Sequence, residues 1–435
     1  MHAPSDAFWM PFTPNRLFRE APRMLVAASG VHYESDDGRR ILDGTAGLWC
    51  VNAGHAREEI RAAVSAQLAE LDFAPTFNMG HPLAFELADE LTRHAPKGLS
   101  RVFFANSGSE AVDSALKIAL AWHRLRGEPQ RTLLVGRERA YHGVGFGGLA
   151  VGGIPRNREA WQGVLMPAAH LRTTHDLARN AFAHGQPAWG ADLADDLERV
   201  IAEHGAEKIA AVIVEPLSGS TGVLVPPVGY LERLRALCTQ HGLLLIFDEV
   251  ITGFGRTGAW FASGKLGVTP DMITLAKGIT NGVIPMGAVL VREGIHADFM
   301  AGPIADIDLF HGYTYSGHPV ACAAALATLA IHAREDLPGR AARLSGHWEA
   351  AAHALRGLPG VIDIRNFGLV AAIEFEADPK RAPTRAYDIF HACFERGLLA
   401  RVTGNVLAFS PPLTIDPAQV DELFSILVGA IRATP

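Results

Sequence analysis

Residues 243–258 read LLLIFDEVITGFGRTG. Five apolar residues, Leu243 to Phe247, run straight into two carboxylates, Asp248 and Glu249, and then into a Gly-rich turn. An unbroken apolar run of this length suits a strand covered on both faces, as in a parallel sheet between layers of helices. Such a strand does not explain the acids, because burying an unpaired carboxylate is costly. Either they face solvent, or a cation meets them at the end of the strand.

The same pattern continues outward in both directions. RVFFAN (101–106) precedes SEAVDSALKIALAWHRLRG, and TLLVG (132–136) follows. DLADDLERVIAEHG precedes AAVIVEP (210–216), GYLERLRALCTQHG precedes LLLIF, and DMITLAK and MGAVLV come next. Strand, helix, strand at this spacing predicts parallel strands with crossover helices. Ligands of such sheets bind beyond the carboxyl ends of the strands, where Asn106, Ser107, Glu215 and Asp248 all fall.

From about Asp306 the pattern changes. An Ala-rich helix (319–333) and a second helix (338–356) precede an antiparallel pair, VIDIRN and VAAIEF, around Gly368, and PAQVDELFSILVGAI closes the chain as a helix. This predicts a smaller α+β domain. HYESDDGRRILDGTAGLW (32–49) has a hairpin pattern around Asp37–Gly38. The expected organisation is an N-terminal segment 1–58 packing with the small domain, a large domain 59–305, and a C-terminal small domain 306–435.

Bulk properties exclude several classes. The 435 residues exceed one small core. A net charge of −7 offers no basic footprint for nucleic acid. Cys50, Cys238, Cys322 and Cys393 lie far apart without CxxC spacing, which argues against a zinc site or disulfide framework and suits a reducing cytoplasm. MHAPSDAFWMPFTPN lacks the charged start and apolar core of a signal peptide. VACAAALATLAIHA (320–333) is too short to span a bilayer. No metal ligand set is evident.

Ser107-Gly108-Ser109-Glu110 follows a strand and opens an amphipathic helix. Its S-x-x-E spacing is a capping box. Its free N–H groups, hydroxyls and positive helix end also make an anion cup, and the two readings are compatible. Neither GK[ST] nor GxGxxG is present. The chain has only six lysines against thirty-three arginines. Lys97, Lys208, Lys265 and Lys380 sit among charged, Gly or Pro residues, and Lys117 lies within a helix. Lys277 alone ends a buried-looking run, MITLA. Desolvation there lowers its pKa and makes it a nucleophilic amine; the plainer reading is an ion pair with Asp248 or Glu249. An anion cup, a strand-end carboxylate and a buried lysine together describe a pyridoxal phosphate (PLP) site, with the lysine as Schiff-base former and the carboxylate on the pyridine nitrogen. Glu249 points to the other face, with Arg256 as a candidate partner.

IFDEVITGFGRTG followed by PDMITLAKGITNG resembles the signature of the class III aminotransferases, a fold-type-I PLP family, and the resemblance covers nearly the whole chain. WMPFTPNR, GLWCVNAGH, FNMGHPL, NSGSEAVD, EPLSGSTGVLVPPVGYL and HGYTYSGHPVACAAAL are most similar to its omega-amino acid:pyruvate group, typified by β-alanine:pyruvate aminotransferases. The resemblance implies an α/β fold with a mostly parallel seven-stranded sheet in the large domain. It implies Lys277 as Schiff-base lysine and Asp248 as pyridinium partner. Ser107, Gly108 and Ser109 become the phosphate loop, and Tyr141 and Val250 pack the two ring faces. His142 and Glu215 lie near the cofactor. Thr314 reaches the phosphate of a neighbouring subunit, so the expected assembly is a homodimer with shared sites. Trp49 and Arg401 become substrate-pocket residues. Family members that use 2-oxoglutarate resemble YHG-R where Val144 stands here, and the ornithine type has a glutamate at the place of Ser220. Both differences favour pyruvate. Ala408 stands where the β-alanine enzymes have glutamine. The expected activity is a cytoplasmic omega-amino acid:pyruvate aminotransferase. The alternatives are an aminomutase or racemase on the same fold, or a non-catalytic PLP-binding protein.

Overall fold

Three short strands come first, β1 (Leu25–Ser29), β2 (His32–Ser35) and β3 (Arg40–Asp43), in an antiparallel meander. The β2–β3 turn contains Gly38 at φ +82°, a left-handed conformation open to glycine at no steric cost. The protein is described by a computed structural model over residues 5, 7–378, 380 and 384–434. Residues 1–4 and 6, part of the N-terminal stretch expected not to be a signal peptide, lie outside the described residues.

The apolar runs of the middle of the chain form one seven-stranded sheet. Its strands are β4 (Leu99–Ala105), β5 (Leu133–Arg137), β6 (Ala168–Leu171), β7 (Ile209–Val214), β8 (Leu244–Asp248), β9 (Met272–Leu275) and β10 (Gly287–Arg292). Their spatial order is β4-β10-β9-β8-β7-β5-β6. All pairings are parallel except those of β10 with β4 and β9. MGAVLV thus departs from the crossover pattern: the link 276–286 is too short for a crossover helix, so the chain returns antiparallel.

Every residue of β7, β8 and β9 is buried. Leu244 and Ile246 face the helix Gly108–Leu125, packing with Val112, Ala115 and Ala119. Leu245 and Phe247 face the opposite layer, with Tyr230 and Leu234 of the helix Tyr230–Gln240. Each such side chain contributes about 1.5–3 kcal/mol when fully buried. Both faces being covered is why the run carries no polar alternation. The same period of two sends Asp248 and Glu249 to opposite sides.

The C-terminal part holds β11 (Val361–Asn366), β12 (Ala371–Phe375), β13 (Leu398–Leu399), β14 (Arg401–Thr403) and β15 (Val406–Phe409). Four of them form a sheet in the order β11-β12-β15-β14, while β13 pairs in parallel with β3. Trp348, Phe375, Phe409 and Leu427 share one core with Val31 and Leu42 of the N-terminal meander. The helix Pro319–Arg334 is apolar almost all round, as befits a helix buried on both sides. It gives Ala324 and Ile331 to this core, and Ala321, Ala325 and Leu329 to that of the large sheet. The carboxyl ends of β7, β8 and β9, the start of the helix Gly108–Leu125 and β14 converge on one cavity.

Candidate active site

The cavity measures about 610 Å³, and Lys277, Asp248, Ser109, Tyr141, Glu215 and Arg401 open into it. Asp248 supplies the answer to the carboxylates of the opening stretch. Its Oδ1 accepts from the Val250 N–H at 3.2 Å and from Thr274 Oγ1 at 3.1 Å, and its Oδ2 lies 2.8 Å from His142 Nδ1. These contacts leave the carboxylate at the end of β8 held on three sides and facing the cavity. His142 is wholly buried, and its Nε2 has no hydrogen-bond partner.

Glu249 is satisfied differently from expectation. Arg256 is not its partner: that guanidinium donates to Asn52 Oδ1 at 2.7 Å, Pro411 O at 2.6 Å and Leu369 O at 3.2 Å. Glu249 instead accepts from the N–H groups of Ala262 and Ser263, at 2.5 and 2.9 Å, and from Thr252 Oγ1 at 3.0 Å. The chain folds back after the Gly-rich turn and caps the carboxylate with a helix start, where N–H groups lack intrahelical acceptors. Glu249 is a structural acid.

Lys277 follows β9 after one residue, Ala276, and adopts φ +51°, uncommon outside glycine. Among the described residues its Nζ has no hydrogen-bond partner. Burial pushes its pKa down, against smaller opposing effects of Cys50 and Asp248. The result is an amine biased to its neutral, nucleophilic form.

At the helix start, Ser107 Oγ accepts from the Glu110 N–H at 3.2 Å. Glu110 Oε2 reaches back to the Asn106 N–H at 2.7 Å, one residue before the reciprocal partner of a capping box. The Gly108 and Ser109 N–H groups have no acceptor among the described residues, and both residues line the cavity. Ser109 Oγ accepts from the Val144 N–H at 3.1 Å. Gly143 must be glycine here: its φ is +88°, and a Cβ would stand 2.5 Å from Ser109 Oγ. Val250 packs against Gly108, where a Cβ would lie 3.1 Å from Val250 Cγ1.

Glu215 Oε1 accepts from the Tyr141 N–H at 2.9 Å and so orients the Tyr141 backbone. Burial, reinforced by Asp248 and opposed by His142, pushes the Glu215 carboxyl up to about 7. Trp49 is buried at φ +65° with its Nε1 unpartnered. Arg401 has no carboxylate partner among the described residues, and its Nε is unpartnered. Burial lowers its pKa, and only the Tyr141 phenol opposes that. Ser220 lies in the same cavity wall.

Three expected residues lie outside the cavity lining: Ser107 caps the helix start, Thr314 is exposed, and Val144 is 52% exposed. Pro11, Phe12, Leu48, Ile154, Asn157 and Thr403 line the cavity without having been singled out from the sequence. Leu48 stands beside Trp49 in GLWCVNAGH, and Pro11 and Phe12 lie in WMPFTPNR, so these motifs were the usable signals; Ile154, Asn157 and Thr403 carry no chemistry that marks them.

Residues 17–431 match the family described as aminotransferase class-III. An omega-aminotransferase of Caulobacter vibrioides is 59% identical, over 96% of this chain and 95% of its own length. A beta-alanine–pyruvate aminotransferase of Pseudomonas aeruginosa is 47% identical over 98% and 95%. The crystal structure of an amine transaminase from an uncultivated Pseudomonas species, in its PLP-bound form, superposes with a TM-score of 0.91 at 38% identity, covering both chains fully (100%).

Proposed function

The chain belongs to the class III aminotransferases, and we propose that within that family it moves the amino group of β-alanine, other omega-amino acids or simple amines to pyruvate, giving alanine. Enzymes of this family use PLP. The donor set fits that group: a carboxylate, an amine without a protein partner and two free N–H groups at a helix start open into one cavity. This convergence is the observation that carries the reading.

When bound, PLP supplies an electron sink for the charge that develops as the substrate C–H bond breaks. Lys277 Nζ would hold the cofactor by its aldehyde, with loss of water, and would carry the proton taken from the amine-bearing carbon. Asp248, oriented by His142 and Thr274, would keep a proton on the ring nitrogen. Gly108 and Ser109 would bind the phosphate through N–H groups and the Ser109 hydroxyl, with Ser107 as helix cap. Tyr141 and Val250 would enclose the ring, and Glu215 steadies the Tyr141 backbone. Arg401 takes the substrate carboxylate, and Trp49 shapes the pocket around it.

A homodimer completes the site through Thr314. Thr314 lies in an exposed apolar region containing Phe77, Phe310 and Tyr315. Phe73 meets the Tyr315 ring edge-on at 6.0 Å, and Thr76 Oγ1 donates to Ser316 O at 3.1 Å, so this region is continuous. Contiguous apolar patches of this kind mark interfaces. No helix among the described residues is long and apolar enough to cross a membrane. The free thiols of all four cysteines suit a reducing compartment such as the cytoplasm.

A panel of amine donors with pyruvate, read as alanine formed, tests the activity. Alanine is expected from β-alanine and from simple amines. No amine exchange with pyruvate, with the amine kept on one carbon skeleton, sinks the reading.

Substrate choice gives two further expectations. Arg401→Ala should raise KM for pyruvate and β-alanine by about one to two decades, since a charged hydrogen bond is worth ~1.5–3 kcal/mol and each ~1.4 kcal/mol is tenfold. Uncharged aryl or alkyl amines, followed by single turnover of the donor half-reaction, should change far less. Equal losses for charged and uncharged donors would count against Arg401 as the carboxylate site. Separately, 2-oxoglutarate should be a poor acceptor, because among the described residues Arg401 is the one arginine lining the cavity, and Val144, outside it, supplies no cation for a second carboxylate. Turnover with 2-oxoglutarate as fast as with pyruvate would refute that role for Val144.

A further inference from the structure

The C-terminal sheet carries two arginines at opposite ends of one row. Register pairs Arg365 with Ala372, Ala372 with Ala408, and Ala408 with Arg401. Directly opposed residues stand on the same face. Strands lie ~4.8 Å apart, so three spacings separate the arginines by roughly 14 Å, with only two methyl groups between them. The adjacent row on that face runs Asp363, Glu374, Val406, Thr403. Both of its acids stand at the Arg365 end, where Arg365 Nη1 ion-pairs with each. Arg401, at the other end, has Thr403 and the cavity beside it.

The loop Ser218–Leu224 fills the alanine trough. Two backbone bonds between Ser218 and Leu224 close it, at 3.1 and 3.0 Å. Val223, wholly buried at φ +55°, packs in one cluster with Ala372, Val406 and Ala408. Arg365 Nε donates to Gly222 O at 2.9 Å. Gly222 has φ +107°, and a Cβ there would lie 3.2 Å from both Arg365 Nη2 and Val406 Cγ1. From the other side, Arg137 Nη2 donates to Ser218 Oγ at 2.8 Å, and Arg139 Nη2 to Thr221 O at 3.2 Å. The loop carries Ser220 into the cavity wall that also contains Arg401.

We propose that Arg365 is a positioning residue for carboxylate-bearing substrates: by holding Gly222 O it seats the Ser218–Leu224 loop on the trough and sets the gap between Ser220 and Arg401. The inference rests on the aminotransferase reading above. Asp363 and Glu374 neutralise Arg365, so the row presents one uncompensated cation to the cavity. Glu374 also faces His175 Nε2 at 3.4 Å, and Asp363 Oδ1 accepts from the Phe182 N–H at 2.5 Å. The grip thus ties the segment after β6 to the same pair of acids.

Arg365→Lys keeps a cation for Asp363 and Glu374 but loses the planar fork that also reaches Gly222 O. Its melting temperature should stay close to that of the wild type. KM for β-alanine and for pyruvate should rise about tenfold, the effect of one lost charge-assisted hydrogen bond, while the benzylamine half-reaction changes by less than about threefold. Amide exchange at Val223 and Leu224, whose N–H groups bond Gly219 O and Ser218 O, should accelerate. Gly222→Ala pushes on the same contact from the loop side and should reproduce the split if Arg365→Lys does not fold. Equal changes for β-alanine and benzylamine, or unaltered exchange with unaltered KM, overturn the proposal. Exchange needs no turnover, so it judges the grip even if the wild type transfers no amine and the aminotransferase reading itself fails.

Discussion

Lys277→Ala should abolish turnover, with a loss of at least about four decades. General acid–base catalysis by one positioned group contributes ~10²–10⁴-fold, and in the proposed role Lys277 would in addition be the nucleophile for the cofactor aldehyde. The wild-type protein should be yellow, and borohydride should fix the cofactor covalently to Lys277. The variant should still bind PLP through Ser109, Gly108 and Asp248, because none of their contacts runs through the lysine. The fold should survive as well, since Lys277 Nζ bonds nothing among the described residues and alanine relieves a buried amine. Peptide mapping of the reduced protein checks the site of attachment. Label on Lys117 or Lys265, or measurable turnover in the variant, would remove Lys277 from its role.

Asp248→Asn should slow substrate C–H cleavage by about two to three decades, the range that follows loss of one group placed to stabilise developing charge. The substitution preserves shape. An asparagine Oδ1 can still accept from the Val250 N–H and Thr274 Oγ1, and its amide can donate to His142 Nδ1 once that imidazole carries its proton on Nε2. Cofactor affinity should therefore fall only modestly, while the single-turnover rate with a deuterated donor exposes the slowed step. A variant that turns over at nearly the wild-type rate would show that the ring nitrogen is not held by this carboxylate.

Lys277 and Asp248 were legible in the sequence because each breaks a local rule. A charge at the end of an unbroken apolar run has to be satisfied by something, and only a few chemistries need an acid and an amine at neighbouring strand ends. The strands and helices were legible for the same local reason: period and burial leave their trace within each segment, as in Leu243–Phe247 and the stripe along Gly108–Leu125. The partner of Glu249 was not legible. It depends on where the chain returns after the Gly-rich turn, and the Ala262 and Ser263 N–H groups carry no side-chain signature. Arg401 has no local mark either, since β14 is only three residues long and too short to show a period. Its meaning comes from register, which aligns Arg401 with Ala408, Ala372 and Arg365 and leaves Asp363 and Glu374 at the far end. A strand's own residues specify which of its faces is buried. Which residues of other strands stand opposite is decided by pairing across the whole sheet, where a slip of one residue exchanges the faces. The sequence by itself therefore determined the layers, the lysine and the carboxylate. Only the tertiary structure decided which arginine is neutralised and which stands without a carboxylate partner at the cavity.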